Sequence, residues 1–257
     1  MISKLFLLSG ADLKLTSCVS VKHPTINDVL GINNGYFCEE IYWSYSSAIL
    51  SDPYDYMVYL DDRGIDYESV TAFQVFFMRW TDAEKEAMIA SGGSSTLMRQ
   101  ALSFYFGQRD FKFIEYQNKL YFLDANDPLW VMDEDIFGLA CEFILQLNCL
   151  SRTDKIKPAN PGYKKILIED MREQEKRKAR EKKSDEPITY IADALNAVLS
   201  GGSGSITPSN YSDTHIYQLM SASQAVQRKM VVQSMLNGIY TGMMKADKIS
   251  NDDLRWA

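Results

Sequence analysis

The most apolar segment of the chain, Ile136 to Leu150, constrains its fold more than any other part of the sequence. Asp133 lies just before this segment, and an aspartate in that place typically caps a helix N-terminus. Glu142, Gln146 and Asn148 interrupt the apolar run, which therefore falls short of the roughly 20 apolar residues of a membrane span. We expect a largely buried helix here, in a chain that does not cross a bilayer.

Two other segments have the alternating pattern of β-strands. Near the N-terminus, the apolar run from Leu5 to Leu8, the turn Ser9-Gly10 and the alternation that continues to Val21 predict a small β element. In the centre, apolar residues alternate from Phe111 to Leu123 on both sides of Gln117-Asn118, as in an antiparallel hairpin. The predicted class is therefore α+β and predominantly helical, with a small N-terminal β element and one central β-hairpin.

Helical spacing of apolar residues predicts the remaining elements. A short helix is predicted after Pro24, and two more between Glu39 and Tyr67, of which the second starts at Asp52-Pro53. The next helix covers 70–80, and another, capped by Thr81-Asp82, reaches about Ala90. The remaining predicted helices cover 97–106, begin at Tyr163, and cover 188–198 and 213–230. Residues 235–244 give no clear prediction.

Composition divides the chain into three parts. Residues 1–154 are predicted to form an acidic, aromatic-rich α+β domain, 155–186 a linker with a charged helix, and 187–257 a C-terminal helical region. Prolines mark the first boundary, and the glycine-serine segment 200–205 is typical of a flexible connector. Residues 1–150 carry 10 Lys and Arg against 21 Asp and Glu, whereas 151–257 carry 17 against 13. The acidic part therefore disfavours nucleic acid, and the basic part permits an acidic partner.

No motif for catalysis, a cofactor or a metal is recognisable. The glycine-rich segments lack the Lys-Ser/Thr of a phosphate-binding loop and the third glycine of a dinucleotide fingerprint. The four cysteines form no CxxC pair and are typical of reduced, buried thiols; they are Cys18, Cys38, Cys141 and Cys149. His23 and His215, isolated in the sequence, are interpreted as structural. We expect a protein without enzymatic activity that needs neither a cofactor nor a metal.

Paired carboxylates occur at Asp61-Asp62, at Asp133 with Asp135, and at Asp252-Asp253. Such pairs serve in glycosidase and metal chemistry, but neighbouring residues seldom converge on one substrate. Solvated turns and helix caps are the favoured interpretation.

Two segments beyond residue 170 are candidates for partner binding. The basic run 172–183 has the charge to follow a phosphate backbone, but glutamates dilute it and no aromatic residues are interleaved for base stacking. A solvated helix is therefore favoured, and nucleic acid is not the expected partner. The second segment is rich in methionine, whose flexible side chain adapts to varied apolar helices. The candidate partner-binding residues are Ile216, Leu219, Met220, Val226 and Met230. Ordinary core packing is the alternative for them.

Five short segments carry a resemblance to a known group of proteins. They are VKHPTI from Val21, EEIYWSY from Glu39, DDRG from Asp61, ILIEDMR from Ile166 and NGIY from Asn237. Through them the chain resembles, over nearly its whole length, uncharacterised tail-gene-cluster proteins of phages that infect Gram-positive bacteria.

The resemblance implies a tail assembly chaperone, without naming any site residue. Such a protein is expected to act in the host cytoplasm and to bind the long helical tape-measure protein before the tail tube polymerises. A virion structural component of the tail or connector and a nucleic-acid-binding packaging adapter are the alternatives. A homo-oligomer stays open.

Overall fold

The computed structural model describes residues 2–89, 96–117, 119–150, 158, 160–180, 189–201 and 206–241. The described residues form ten α-helices and five β-strands. The helices are α1 (Lys4–Ser9), α2 (Ile26–Leu30), α3 (Cys38–Leu50), α4 (Met57–Asp61), α5 (Ala72–Ile89), α6 (Leu97–Phe106), α7 (Glu134–Leu147), α8 (Pro161–Arg180), α9 (Tyr190–Gly201) and α10 (Ile216–Tyr240). The strands are β1 (Leu13–Lys14), β2 (Ser20–Val21), β3 (Phe111–Tyr116), β4 (Lys119–Asp124) and β5 (Asp127–Met132). The prediction of a predominantly helical α+β protein is confirmed.

The apolar helix expected from the sequence is α7, and it lies in the main hydrophobic core. Asp133 caps it, because the carboxylate accepts a hydrogen bond of 2.9 Å from the backbone N–H of Ile136. The buried side chains follow the spacing of one helix face and are Phe137, Ala140, Cys141, Phe143, Ile144 and Leu147. This face packs against α3, α5, α10 and β5, so α7 connects the N-terminal and C-terminal elements.

The central hairpin is confirmed, and it belongs to a three-stranded antiparallel sheet of β3, β4 and β5. Strand β5 was not expected, although Trp130 and Met132 on it are fully buried. The sheet packs on α5 through aromatic rings. Phe76 contacts the rings of Phe122 and Phe137 at centroid distances of 5.8 and 4.9 Å. These rings fix the sheet against the helical core.

The N-terminal β element is present, but residues 5–8 are helical, so their prediction as a strand was wrong. Ser3 caps α1 by accepting a hydrogen bond from the Leu5 N–H (3.3 Å), and Gly10 ends it with a φ of 73°. Four apolar residues are too few to distinguish a strand period from a helical one. The β element consists of β1 and β2, which pair antiparallel with Leu13 opposite Val21.

Two helix boundaries in the first half were also wrong. Thr81 does not cap a new helix, because its hydroxyl donates a hydrogen bond of 2.9 Å to the Phe77 carbonyl and stays inside the continuous helix α5. Asp52-Pro53 does not start a helix either. The Asp52 carboxylate accepts a hydrogen bond of 3.1 Å from the Tyr54 N–H in a turn, and α4 begins only at Met57.

Helices α9 and α10 share the main hydrophobic cluster with elements of the first predicted domain. Ile191 of α9 and Leu219 of α10 are both buried in that cluster. The Glu39 carboxylate at the start of α3 accepts hydrogen bonds from the N–H groups of Ile191 and Ala192, at 2.9 and 3.0 Å, and so caps α9. The linkers at 151–157, 181–188 and 202–205 lie outside the described residues. The division into three domains stays a prediction.

Candidate functional site

Backbone hydrogen bonds fix the start of α10 to the N-terminal part of the chain. The N–H of Ile216 donates to the Pro24 carbonyl at 3.0 Å, and the N–H of Ile26 donates to the Thr214 carbonyl at 2.9 Å. Ile216 and Leu219 have no exposed surface. The first turns of α10 are therefore part of the core.

The two histidines meet at this junction, which the sequence did not indicate. The His215 Nδ1–H donates to the backbone carbonyl of His23 at 2.9 Å, and the His23 Nε2–H donates to the Leu7 carbonyl at 3.0 Å. Burial, reinforced by the nearby His215, lowers the pKa of His23 to about 4. The Asp12 carboxylate accepts a hydrogen bond of 2.7 Å from the backbone N–H of His23. The pair therefore holds the start of α10 against the N-terminal part of the chain.

Most of the expected partner-binding residues face the interior of this chain. Ile216, Leu219 and Val226 are buried, and Met220 is half-buried against the main core. Met230 is 60% exposed. In this arrangement a partner reaches Met230 and part of Met220, while the other three residues stabilise the fold.

The apolar pattern of α10 changes face after Val226. At about 100° per residue, the step from Val226 to Val232 turns the helix by about 600°, which places the two side chains about 120° apart. Val232 then starts a second apolar stripe with Met235, Leu236 and Ile239, at the spacing of one helix face. Val232 is buried, and the other three are half-buried. The first stripe serves the core, whereas the second is incompletely covered by the described residues.

The distal segment of α10, defined as residues 227–240, also exposes large apolar side chains. The exposed fractions of Val231 and Tyr240 are 52% and 83%. Arg228 and Lys229 are exposed as well. A helical segment with partly covered apolar residues and two cations can bind another amphipathic helix, whose apolar face would cover it. We take this segment as the candidate site.

The sequence did not predict this segment as a site, because the predicted helix ended at Met230 and residues 235–244 gave no clear prediction, whereas α10 continues to Tyr240. Val232, Met235, Leu236, Ile239 and Tyr240 were not candidates. The signal that was present is the i, i+3, i+4, i+7 spacing that begins again at Val232.

A cleft lies where the N-terminal ends of α5, β4 and α7 meet. This cleft of about 270 Å³ is lined by Phe73, Gln74, Lys119, Leu120, Tyr121, Asp133, Glu134 and Asp135. Asp133 already serves as the cap of α7. Among the described residues, no group of three or more His, Cys, Asp or Glu side chains is arranged to hold a metal ion. The cleft therefore offers an acidic surface without a defined chemistry.

The other carboxylate pairs and the cysteines have ordinary surroundings. Asp61 and Asp62 contact Arg172, at 3.1 and 2.5 Å. Asp252-Asp253 lie outside the described residues. All four cysteines are free, and only Cys141 is fully buried, so the expectation of four buried thiols was wrong for the other three.

None of the described helices is both long enough and apolar enough for a membrane span. Comparison with protein-family models, with curated proteins and with solved structures finds no match to this chain.

Proposed function

We propose that this protein is a tail assembly chaperone-like protein of a bacteriophage, which binds the tape-measure protein in the host cytoplasm and has no enzymatic activity. Two observations support the proposal. The chain resembles phage tail-gene-cluster proteins in the segments that start at Val21, Glu39, Asp61, Ile166 and Asn237. The distal segment of α10 also presents apolar residues that the described part of the chain leaves uncovered. The second observation carries the proposal, because a chaperone needs a surface of this kind.

The physical argument concerns the free tape-measure protein. Long apolar helices aggregate when they are exposed, and covering them prevents this. Met230 and Met235 are flexible enough to pack against different apolar side chains along such a helix. Arg228 and Lys229 add an attraction to acidic residues that flank the apolar stripe of the partner.

A virion structural component is the second candidate, since the same surface could join subunits of a tail or of a homo-oligomer. Purified virions distinguish the two, because an assembly chaperone should be absent from them. The packaging adapter has less support. Lys164 and Arg172 of α8 lie against Asp61, Asp62, Asp66 and Glu68, which reduces the charge available for phosphates.

Co-expression with the tape-measure protein of the same genome tests the proposal. We expect the tape-measure protein to be insoluble alone, and soluble in a complex with this chain that survives size-exclusion chromatography. A tape-measure protein that stays aggregated, or that is soluble without forming a complex, would argue against a chaperone.

A further inference from the structure

Helix α8 packs on a second hydrophobic cluster, separate from the main core. The buried members of this cluster are Met57, Leu60, Tyr67, Val75 and Ile168. Ile168 is the one buried member that α8 supplies, while Leu167 and Met171 are half-buried beside it. A helix of 20 residues thus rests on a small apolar contact.

The surface below α8 is rich in tyrosine. Tyr54, Tyr56 and Tyr59 are half-buried around the cluster, and Tyr54 contacts the ring of Tyr67 at a centroid distance of 5.1 Å. The Tyr67 side chain is almost fully buried, yet its hydroxyl has no hydrogen-bond partner among the described residues. A buried hydroxyl normally has a partner. Helix α8 therefore covers this surface without satisfying all of its polar groups.

Acidic side chains border the surface at both ends of the contact. At one end, the Lys164 ammonium binds Asp66 and Glu68, the latter at 2.7 Å, and lies 4.5 Å from the centre of the Tyr67 ring. At the other end, Arg172 binds Asp61 and Asp62. All four carboxylates are at least 38% exposed. The Arg172 pairs are partly exposed on both sides, and such pairs are weak and are screened by salt. The Lys164 side chain is only 18% exposed, so its pairs are screened less.

We propose that this surface is a helix-binding groove, that α8 is its displaceable internal occupant, and that a partner helix of the same pattern binds there when α8 leaves. The groove is formed by α4, residues 62–70 and the start of α5. The chemistry of the partner follows from the contacts of α8. It is an amphipathic helix that begins with a cation, as at Lys164, and has two apolar residues three and four positions later, as at Leu167-Ile168. One turn further along, an apolar residue is followed by a second cation, as at Met171-Arg172. The inference does not involve α10 and is independent of the proposed function.

The test compares two charge reversals on the same helix. Arg172→Glu places a carboxylate beside Asp61 and Asp62 and should release α8. Lys176→Glu changes the net charge equally at an exposed position and is the matched control. Hydrogen exchange measured by mass spectrometry should show faster exchange of the backbone amides of residues 161–172 in Arg172→Glu. A circular dichroism melt checks that the rest of the protein is folded.

Binding in trans is measured with a fluorescein-labelled synthetic peptide of residues 160–180. By fluorescence anisotropy, this peptide should bind the Arg172→Glu protein at least about tenfold more tightly than the Lys176→Glu protein, because the groove is vacant in the first. A peptide that itself carries Arg172→Glu should bind an Asp61→Lys/Asp62→Lys protein, in which the charges are exchanged.

Three results would overturn the proposal. The first is that the backbone amides of residues 161–172 exchange hydrogen at the same rate in both variants, at low salt and also in 1 M NaCl. The second is equal affinity of the peptide for both variants, which would place its binding elsewhere. The third is faster exchange in Arg172→Glu without any peptide binding, which would make α8 a weakly held helix and not the occupant of a binding groove.

Discussion

The imidazole ring of His23 lies edge-on to that of His215, with ring centroids 4.6 Å apart and an angle of 86° between the planes. Two residues from opposite parts of the chain thereby join the N-terminal elements to the start of α10. His23 is 1% exposed, and the centroid of the Phe143 ring of α7 lies 5.8 Å from that of His23. Little room or solvent is available for a positive charge on the His23 ring.

Acidification should therefore weaken the fold. The pKa of His23 is about 4 in the folded protein, below the ordinary histidine value of 6.5, so the unfolded chain binds the proton more tightly. The contribution of His23 is complete above pH 6.5 and is lost as the pH falls towards 4. A difference of 2.5 pKa units corresponds to an upper limit of about 3 kcal/mol. Urea unfolding at several pH values between 4 and 7 measures it.

His23→Leu provides the comparison. This variant should be less stable at pH 7, because the hydrogen bond to Leu7 is lost, but it should lose less stability between pH 6.5 and 4. Asp12 and His215, the titratable groups next to His23, are unchanged in it. Parallel curves for the two proteins would show that His23 is not the group responsible.

Truncation after Ser205 should unfold the protein or leave it without fixed tertiary packing. The truncation removes Ile216 and Leu219 from the main core, and the loss of a single large buried aliphatic side chain costs about 2–5 kcal/mol. Near-ultraviolet circular dichroism and a thermal melt measure the result. A cooperative melt close to that of the full chain would instead support the predicted three-part division and an autonomous first domain.

The contact between α9 and α10 depends on the absence of a side chain at Gly201. A Cβ atom there would lie 2.4 Å from Cγ1 of Val226, so Gly201→Ala should destabilise the protein by about 1–3 kcal/mol. Gly138→Ala is the matched control, because a Cβ at Gly138 in α7 meets no atom within 4 Å. Helix propensity predicts that the control is more stable by up to about 1 kcal/mol. Urea denaturation of both variants measures the difference, and equal stabilities would contradict the close packing.

Local patterns predicted the elements that have strong periodicity and clear caps. The helices α6 and α7 and the hairpin of β3 and β4 are of this kind. Whether α1 forms, and whether α5 continues past Thr81, depends on which backbone group the hydroxyl of Ser3 or of Thr81 bonds to. At Thr81 the hydroxyl bonds inside the helix, next to the buried Trp80. Tertiary packing decides which of these hydrogen bonds forms, and a local sequence pattern carries no information about tertiary packing.

The histidine contact and the candidate site were harder to predict, for two physical reasons. The contact between His23 and His215 joins residues far apart in the chain, which no spacing rule can reveal. In α10, the residues from Ile216 to Val226 have the same apolar character as those from Val232 to Ile239, and only the fold shows which of the two stripes is buried. The carboxylates that border the groove under α8 likewise belong to residues 61–68, which are distant from α8 in the sequence.

The central claim is tested most directly by comparing how tightly two matched double variants of this protein bind the tape-measure protein. Met230→Glu/Val231→Glu places two carboxylates on exposed apolar positions of the distal segment, whereas Gln224→Glu/Ala225→Glu adds the same charge at exposed positions of α10 outside that segment. Substitutions at such surface positions should leave the melting temperature nearly unchanged. Measured by biolayer interferometry, the first variant should bind at least about tenfold more weakly than the second, a difference of about 1.4 kcal/mol. Equal affinities of the two variants, with wild-type stability, would contradict partner binding by the distal segment of α10.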